Sequence, residues 1–347
     1  MEPSRWDHVV AGSQPFPMYF TSWFMDFACE VSGGSRSNRT VSDGADQSAV
    51  IALVGRHDAD LGLVINSLPW FGGYGGVAVA PEAPAGVRLE LLAEVRSVFE
   101  HPSVGFATIN LAPNEMAHID TYTRQLRPRL VVPRRTQVTM LPAGQAEREE
   151  SLMSLFHPKA RNAVRKGLGG GFRMETVDTD EAWEGLARLH ATNMARVGGR
   201  PKSLDSIRLL RARVPAEHRR LTVARSGDRA VAALLTIRVG STVEYLIPAV
   251  DEPQKSSQVL SALIWHEMLQ ACTTGATRWN WGGTGWQQES LLRFKSRRGG
   301  KLVPYATLVT CTDDAIGVLR GMSGRLPGGL MDYYLYPFAE LDQEAQP

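Results

Sequence analysis

Residues 291–305 read LLRFKSRRGGKLVPY, and Lys295 is the residue among them whose type asks for an explanation. Only six of the 38 Lys and Arg residues are lysines. A lysine ammonium is a compact point charge on a flexible stem, suited to reach one oxygen, whereas an arginine fork grips two. A second basic group lies in HPKARNAVRKG, which supplies Lys159, Arg161, Arg165 and Lys166. Arg161 and Arg165 are four apart and share a helix face. Such a run either contacts phosphates or is a solvated helix face. Arg196 and Arg200 flank Gly198-Gly199 where a further helix ends. Arginine suits bidentate phosphate contacts, and Arg196 equally suits pairing with the dipole of a helix C-terminus.

Other chemistries are excluded or weakened by spacing. WHEM (265–268) begins like a zinc-protease HExxH, but the position of the second ligand is Gln270, so an ordinary helix surface is expected and no metal. Cys29, Cys272 and Cys311 are far apart and odd in number, which points to free thiols in a reducing compartment. A net charge of +2 does not describe a general nucleic-acid coat, though it leaves room for a local basic patch. With 43% hydrophobic and 21% charged residues the chain is expected to fold, and no window approaches the length of a membrane span. The opening MEPSRWDHVVAGSQPF lacks a basic-then-apolar pattern, so a cytoplasmic protein with no integral membrane segment is expected.

At 347 residues the chain suits two domains. The first half alternates strands and helices. The aromatic opening predicts a strand and turn, then a helix from about Thr21. Residues 32–47 read as an exposed loop. VIALVGR (50–56) and LGLVINSL (61–68) predict a hairpin around HDAD, and PWFGGYGGVAVAP (69–81) a glycine-rich turn entering a strand. A helix over 85–100, a strand over 104–112, a helix over 114–126 and two short extended pieces over 129–141 follow. In the second half, 145–167 is helical with a break at His157-Pro158. From 172 onward the order is β-α-α-β-β-β-α-β-α-β, a hairpin meander followed by two crossover helices, which implies a mixed sheet.

That order is the order of the GNAT acyltransferase fold. HPKARNAVRKGLGGGFRME (157–175), YLIPAV (245–250), RWNWGG and LLRFKSRRGG resemble, in type and order, the Fem-type aminoacyltransferases, which attach amino acids from aminoacyl-tRNA to peptidoglycan precursors. Trp6, Trp23 and PWFGGYGG resemble that family's first domain. The resemblance implies a mixed α+β protein of two GNAT-like domains, each a largely antiparallel mixed sheet flanked by helices. The expected domains are 1–144, with 315–347 packing back on it, and 145–314.

The resemblance also implies roles. Lys295 matches the family's FK lysine and would polarise the acyl carbonyl, where an oxyanion develops. Tyr245 would face the cleft between the domains, or else pack in the core. Trp70, Phe71, Gly72, Gly73 and Tyr74 would wall the acceptor, or else form a tight hairpin. Arg196 and Arg200 would hold the acceptor's phosphates. Lys159, Arg161, Arg165, Lys166 and Arg298 would hold phosphates of the acceptor or of tRNA. No convincing general base emerges, with Glu115 and Asp120 the available carboxylates. The segment DEPQKSSQVL (251–260), where a CoA enzyme carries a glycine-rich phosphate loop, has no glycine. The expected partners are therefore the 3′ end of aminoacyl-tRNA as co-substrate, with no cofactor, and an amine acceptor on a peptidoglycan precursor or a secondary-metabolite peptide. An acyl-CoA-dependent N-acyltransferase and a non-catalytic binding module stand as alternatives.

Overall fold

The computed structural model describes residues 5–13, 15–43, 46–70, 73–143, 148–322, 326 and 328–337. Phe71 and Gly72 lie outside the described residues. In chain order the elements are α1 Arg5–Ser13, α2 Ser22–Ser32, β1 Ser35–Arg36, β2 Arg39–Asp43, β3 Asp46–Ile51, β4 Val54–Asp58, β5 Gly62–Asn66, β6 Val77–Val79, α3 Val87–Phe99, β7 Val104–Asn110, α4 Ile119–Leu126 and β8 Leu130–Met140. There follow α5 Arg148–Ser154, α6 Pro158–Leu168, β9 Arg173–Thr176, α7 Asp180–Arg196, α8 Leu204–Arg213, β10 Arg219–Ser226, β11 Arg229–Val239, β12 Thr242–Val250, α9 Val259–Thr273, β13 Arg278–Gly283, α10 Glu289–Ser296, β14 Lys301–Cys311 and α11 Asp313–Gly321.

The chain divides into two units, Met1–Arg134 with Pro304–Pro347, and Arg135–Val303. Both boundaries fall inside strands, β8 and β14. In the first unit β1, β4, β5, β7 and β14 pair in that order, with β5 and β7 parallel. A three-stranded sheet β2-β3-β6 accompanies them. Leu91, Leu92 and Val95 of α3 bury against Ile65, Ala107 and Ile109. Near the C-terminus the backbone of Tyr334 is held by Asn66, which accepts from its N–H at 2.8 Å and donates to its carbonyl at 3.0 Å.

Four local expectations are corrected here. The N-terminal stretch is helix and not strand, because Trp6, Val9 and Val10 bury at i, i+3 and i+4. The stretch 32–47, expected as a loop, carries β1, β2 and the start of β3. VIALVGR is two strands in two sheets: the chain turns at Ala52-Leu53, where the Asn38 side chain takes the Leu53 N–H at 3.0 Å. Residues 130–140 form one strand that accommodates Pro133.

In the second unit the order is β8-β13-β12-β11-β10-β9, antiparallel except for β12 and β13. The ten-element order read from the sequence is the order observed. Thr179 caps α7 by accepting from Ala182 N–H. Parallel β12 and β13 pair over Thr242–Glu244 and Arg278–Asn280, after which the strands part, so Tyr245–Val250 present an edge that β13 does not cover. The core beneath α9 gathers Val164 of α6, Leu263, Ile264 and Met268 of α9, and Trp279 and Trp281 of β13. Gly167 lets α6 approach α9 closely: a Cβ there would collide with the Gln258 carbonyl and lie 2.8 Å from Ala262 Cβ.

Candidate anion-binding site

The close contact of α6 with the start of α9 leaves a cavity of about 500 Å³ between α6, Gln258 and α10. Its charged lining is Lys159, Lys166, Arg297 and Arg298, with no carboxylate among the described residues. Helix α6 presents Lys159, Asn162, Ala163 and Lys166 to it, one stripe at i, i+3, i+4 and i+7. Of the basic run, then, the two lysines meet at the cavity, while Arg161 and Arg165 are on other parts of the helix surface. The buried stripe Ala160, Val164 and Gly167 decides this, because it fixes which side of the helix faces α9.

Arg298 is the least ordinary of the four. It is 4% exposed, and among the described residues no carboxylate pairs with it. Its Nη1 donates to the Phe294 carbonyl at 2.9 Å and its Nη2 to Ser261 Oγ at 2.8 Å. The guanidinium lies 3.7 Å from the Phe294 ring centroid, and its buried Nε has no partner. Burial lowers its pKa from 12.5 to about 10, against a smaller upward effect of Tyr245. A buried cation without a counter-charge is costly, and a donor left over inside it adds to that cost. An anion in the cavity would supply the missing counter-charge.

Lys295 lies 3% exposed on α10. Its Nζ donates to the carbonyls of Gly282 at 2.9 Å and Gly283 at 3.0 Å, and to Thr284 Oγ1 at 2.8 Å. All three donors of the ammonium are thus spent on the turn that leaves β13. Burial alone lowers its pKa from 10.5 to about 8. To polarise an acyl carbonyl, one of these donors would have to exchange its partner for the substrate oxygen.

Tyr245 is half-buried and packs on Trp281 and Trp279, with ring centroids at 5.0 and 6.1 Å. Burial raises its pKa well above the ordinary phenol value, so it stays neutral. Beyond it, Val250 at the end of β12 gives its N–H to Asn193 Oδ1 at 2.9 Å and takes Asn193 Nδ2 at 2.7 Å on its carbonyl. Pro248, two residues earlier on the same edge, has no N–H to offer. The segment 251–258 winds into a short 3-10 turn in which Ser257 Oγ is already bonded to the Gln254 carbonyl and the Val259 N–H.

The remaining expected residues are elsewhere. Arg196 is exposed and pairs with Glu252 at 3.2 Å, and Glu252 also takes Lys255 at 2.5 Å. Arg200 is exposed. In the first unit, Tyr74 is 1% exposed in a cluster with Phe16, Tyr19 and Tyr305. Trp70 has a left-handed backbone (φ 80°), stacks edge-on against Phe27 and lines a cavity of about 280 Å³ with Asn66, Asn110, Arg134 and Tyr305. Gly73 leaves room for Leu68, whose Cβ would lie 2.9 Å from a Cβ placed there. Glu115 is buried against Arg88 and accepts from Tyr122 Oη at 2.6 Å, which commits it to holding α3 and α4. Asp120 is exposed. Glu267 of the WHEM stretch accepts from Thr222 Oγ1 at 2.7 Å and pairs with Arg220. Sequence reasoning passed over Glu244, a buried carboxylate on β12 that accepts from Asn280 Nδ2 at 2.7 Å. Its one signal was a Glu inside the apolar strand TVEYLIPAV.

Residues 156–296 match the family described as "Acetyltransferase (GNAT) domain". A search of curated protein sequences finds no match. In three dimensions the chain is similar to the crystal structure of FemX, with a TM-score of 0.69 at 14% identity over 88% of this chain and 96% of that one. It is also similar to the C-terminal domain of a putative lysylphosphatidylglycerol synthetase from Agrobacterium fabrum (TM-score 0.56, 12% identity, 94% and 97% covered). A tandem GNAT protein from the clavulanic acid biosynthesis pathway gives a TM-score of 0.50 at 12% identity, with 88% and 93% covered. The fold is therefore a mixed α/β arrangement of GNAT-like domains, and the Fem-type resemblance in the sequence has its counterpart in the likeness to FemX. Among the described residues no helix is long and apolar enough to cross a membrane.

Proposed function

We propose that this protein is an acyltransferase that takes an aminoacyl group from aminoacyl-tRNA and passes it to an amine, on a peptidoglycan precursor or a secondary-metabolite peptide. The observation that carries the reading is the cavity of four cations and no carboxylate, with Arg298 buried and uncompensated. Such a cavity favours a polyanionic donor. In the reaction the acceptor nitrogen bonds to the acyl carbon, the ester C–O bond breaks, and the amine proton ends on the ribose hydroxyl that leaves. Use of aminoacyl-tRNA implies action in the cytoplasm.

Two features support tRNA over acyl-CoA as donor. A pantetheine arm carries amides that would pair with a strand edge. The edge left open on β12 has its Val250 groups taken by Asn193 and no N–H at Pro248. The turn at 252–257 lacks the glycines of a CoA phosphate loop, and its Ser257 Oγ is bonded to the Gln254 carbonyl and the Val259 N–H.

The test is donor choice. Purified protein is incubated with labelled aminoacyl-tRNAs in one series and with acetyl- and longer acyl-CoAs in another, each with a panel of amines, and loss of ester or thioester is followed. Consumption of aminoacyl-tRNA alone is expected. Consumption of acyl-CoA with release of free thiol would replace this reading by that of an N-acyltransferase, and turnover of neither, with ligand bound, by that of a binding module.

A further inference from the structure

The turn between β13 and α10 carries Trp286 with 59% of its surface exposed. Large exposed aromatic side chains are unusual on a segment that is tied down, and this one is tied down repeatedly. Arg135 places its guanidinium carbon 4.4 Å from the Trp286 ring centroid. Its Nη2 donates to the carbonyls of Gly285 at 3.1 Å and Trp286 at 3.0 Å, and its own carbonyl accepts the Thr284 N–H at 3.1 Å. Gln288 Oε1 takes the Gly285 N–H at 3.0 Å, and Lys295 holds Gly282, Gly283 and Thr284 from beneath. The indole is thus presented in a fixed pose, backed by a planar cation.

We propose that Trp286, backed by Arg135, is a stacking platform for the adenine base of the acyl donor. The inference rests on the reading above, that the donor is held by its phosphates. Every base has a π face, and a tryptophan face reinforced by an arginine plane is a strong, sequence-tolerant partner for it. The platform and the basic cavity are joined by a short piece of chain: Ser290, which lines the cavity, is four residues from Trp286, a separation of roughly 14 Å at most. That separation is within the span of one ligand with phosphates and an adenine end. Two donors share that chemistry, the terminal adenosine of a tRNA and the adenine nucleotide of CoA.

The experiment measures equilibrium binding by the full chain, as wild type, Trp286→Ala, Trp286→Phe and Arg298→Met, each checked for folding by circular dichroism. The probes are a short single-stranded RNA ending in adenosine, the same RNA with an abasic last residue, CoA, and 4′-phosphopantetheine, which lacks the adenine nucleotide. Trp286→Ala is expected to weaken one of the two adenine-bearing probes by about tenfold or more. Trp286→Phe is expected to keep most of that affinity, and the base-free partner of the same probe to bind wild type and Trp286→Ala alike. The probe affected identifies the source of the base. If Trp286→Ala binds both adenine-bearing probes as wild type does while Arg298→Met loses affinity, the platform is refuted and the phosphate cavity stands. If wild type binds neither probe, the platform and the proposed function fail together.

Discussion

Replacing Arg298 by Met separates a cation kept for a ligand from one kept for the fold. The depression of its pKa from 12.5 to about 10 corresponds to roughly 3 kcal/mol spent on holding the charge in place. Methionine removes that cost. It also removes the hydrogen bonds to the Phe294 carbonyl and Ser261 Oγ, each charge-assisted and together worth about 3 kcal/mol. The two effects nearly cancel, and methionine still covers Phe294. Urea unfolding at pH 7 should therefore place Arg298→Met within about 2 kcal/mol of wild type. Affinity for pyrophosphate and for deacylated tRNA, measured by titration calorimetry, should fall about tenfold or more, the value of one charge-assisted contact. Loss of more than about 4 kcal/mol of stability with anion affinity unchanged would refute the reasoning, because Arg298 would then be a structural cation.

The Lys295 ammonium, labelled with ¹³C at Cε, should titrate with a midpoint near 8 in the folded protein, and a midpoint at 10 or above would contradict its burial. Because the folded pKa is depressed, the unfolded chain holds this proton between about pH 8 and 10.5 while the folded chain does not. This group's contribution to stability should accordingly rise with pH across that window. Gly167→Ala should lower stability by about 1–3 kcal/mol, since the added methyl meets the Gln258 backbone; an unchanged or raised melting temperature would show that α6 and α9 can separate freely. Asn193→Ala should cost about 2 kcal/mol in urea unfolding by freeing both backbone groups of Val250, and a neutral result would mean that water replaces Asn193 at that edge.

The second unit was legible because its turns and periods agree. Ser226–Asp228 and Gly240-Ser241 punctuate β10, β11 and β12, and Thr179 and Gly275 bracket helices with ordinary chemistry. The first unit was less so. In α1 the apolar positions cover only two turns, too few to tell a period of 3.6 from one of two. Strands β2 and β3 are rich in polar residues and show no alternation to read. In the site, the basic run of α6 was visible but the half of it that faces the cavity was not, because that depends on a glycine meeting a distant carbonyl. Lys295 stood out as a rare residue, yet its partners are carbonyls 12 and 13 positions upstream, which composition does not reveal. Arg298 was legible only through the family resemblance, as a phosphate contact; its burial, with Nη2 on Ser261 Oγ of α9, is not revealed by the RRGG stretch.

The two chain crossings have a consequence for the order in which the protein is made. Unit Arg135–Val303 is one uninterrupted stretch, while the other unit is assembled from the two ends of the chain. Strand β7 already has β5 on one side but finds its second neighbour only when Thr307–Cys311 of β14 has left the ribosome. The second unit is then already complete and free to fold as it emerges, while one side of β7 waits for its partner. A premature stop just after residue 303 would leave the basic cavity whole and strand β7 with a bare edge. Truncation products would be expected to keep anion binding while aggregating through the unit that was synthesised first.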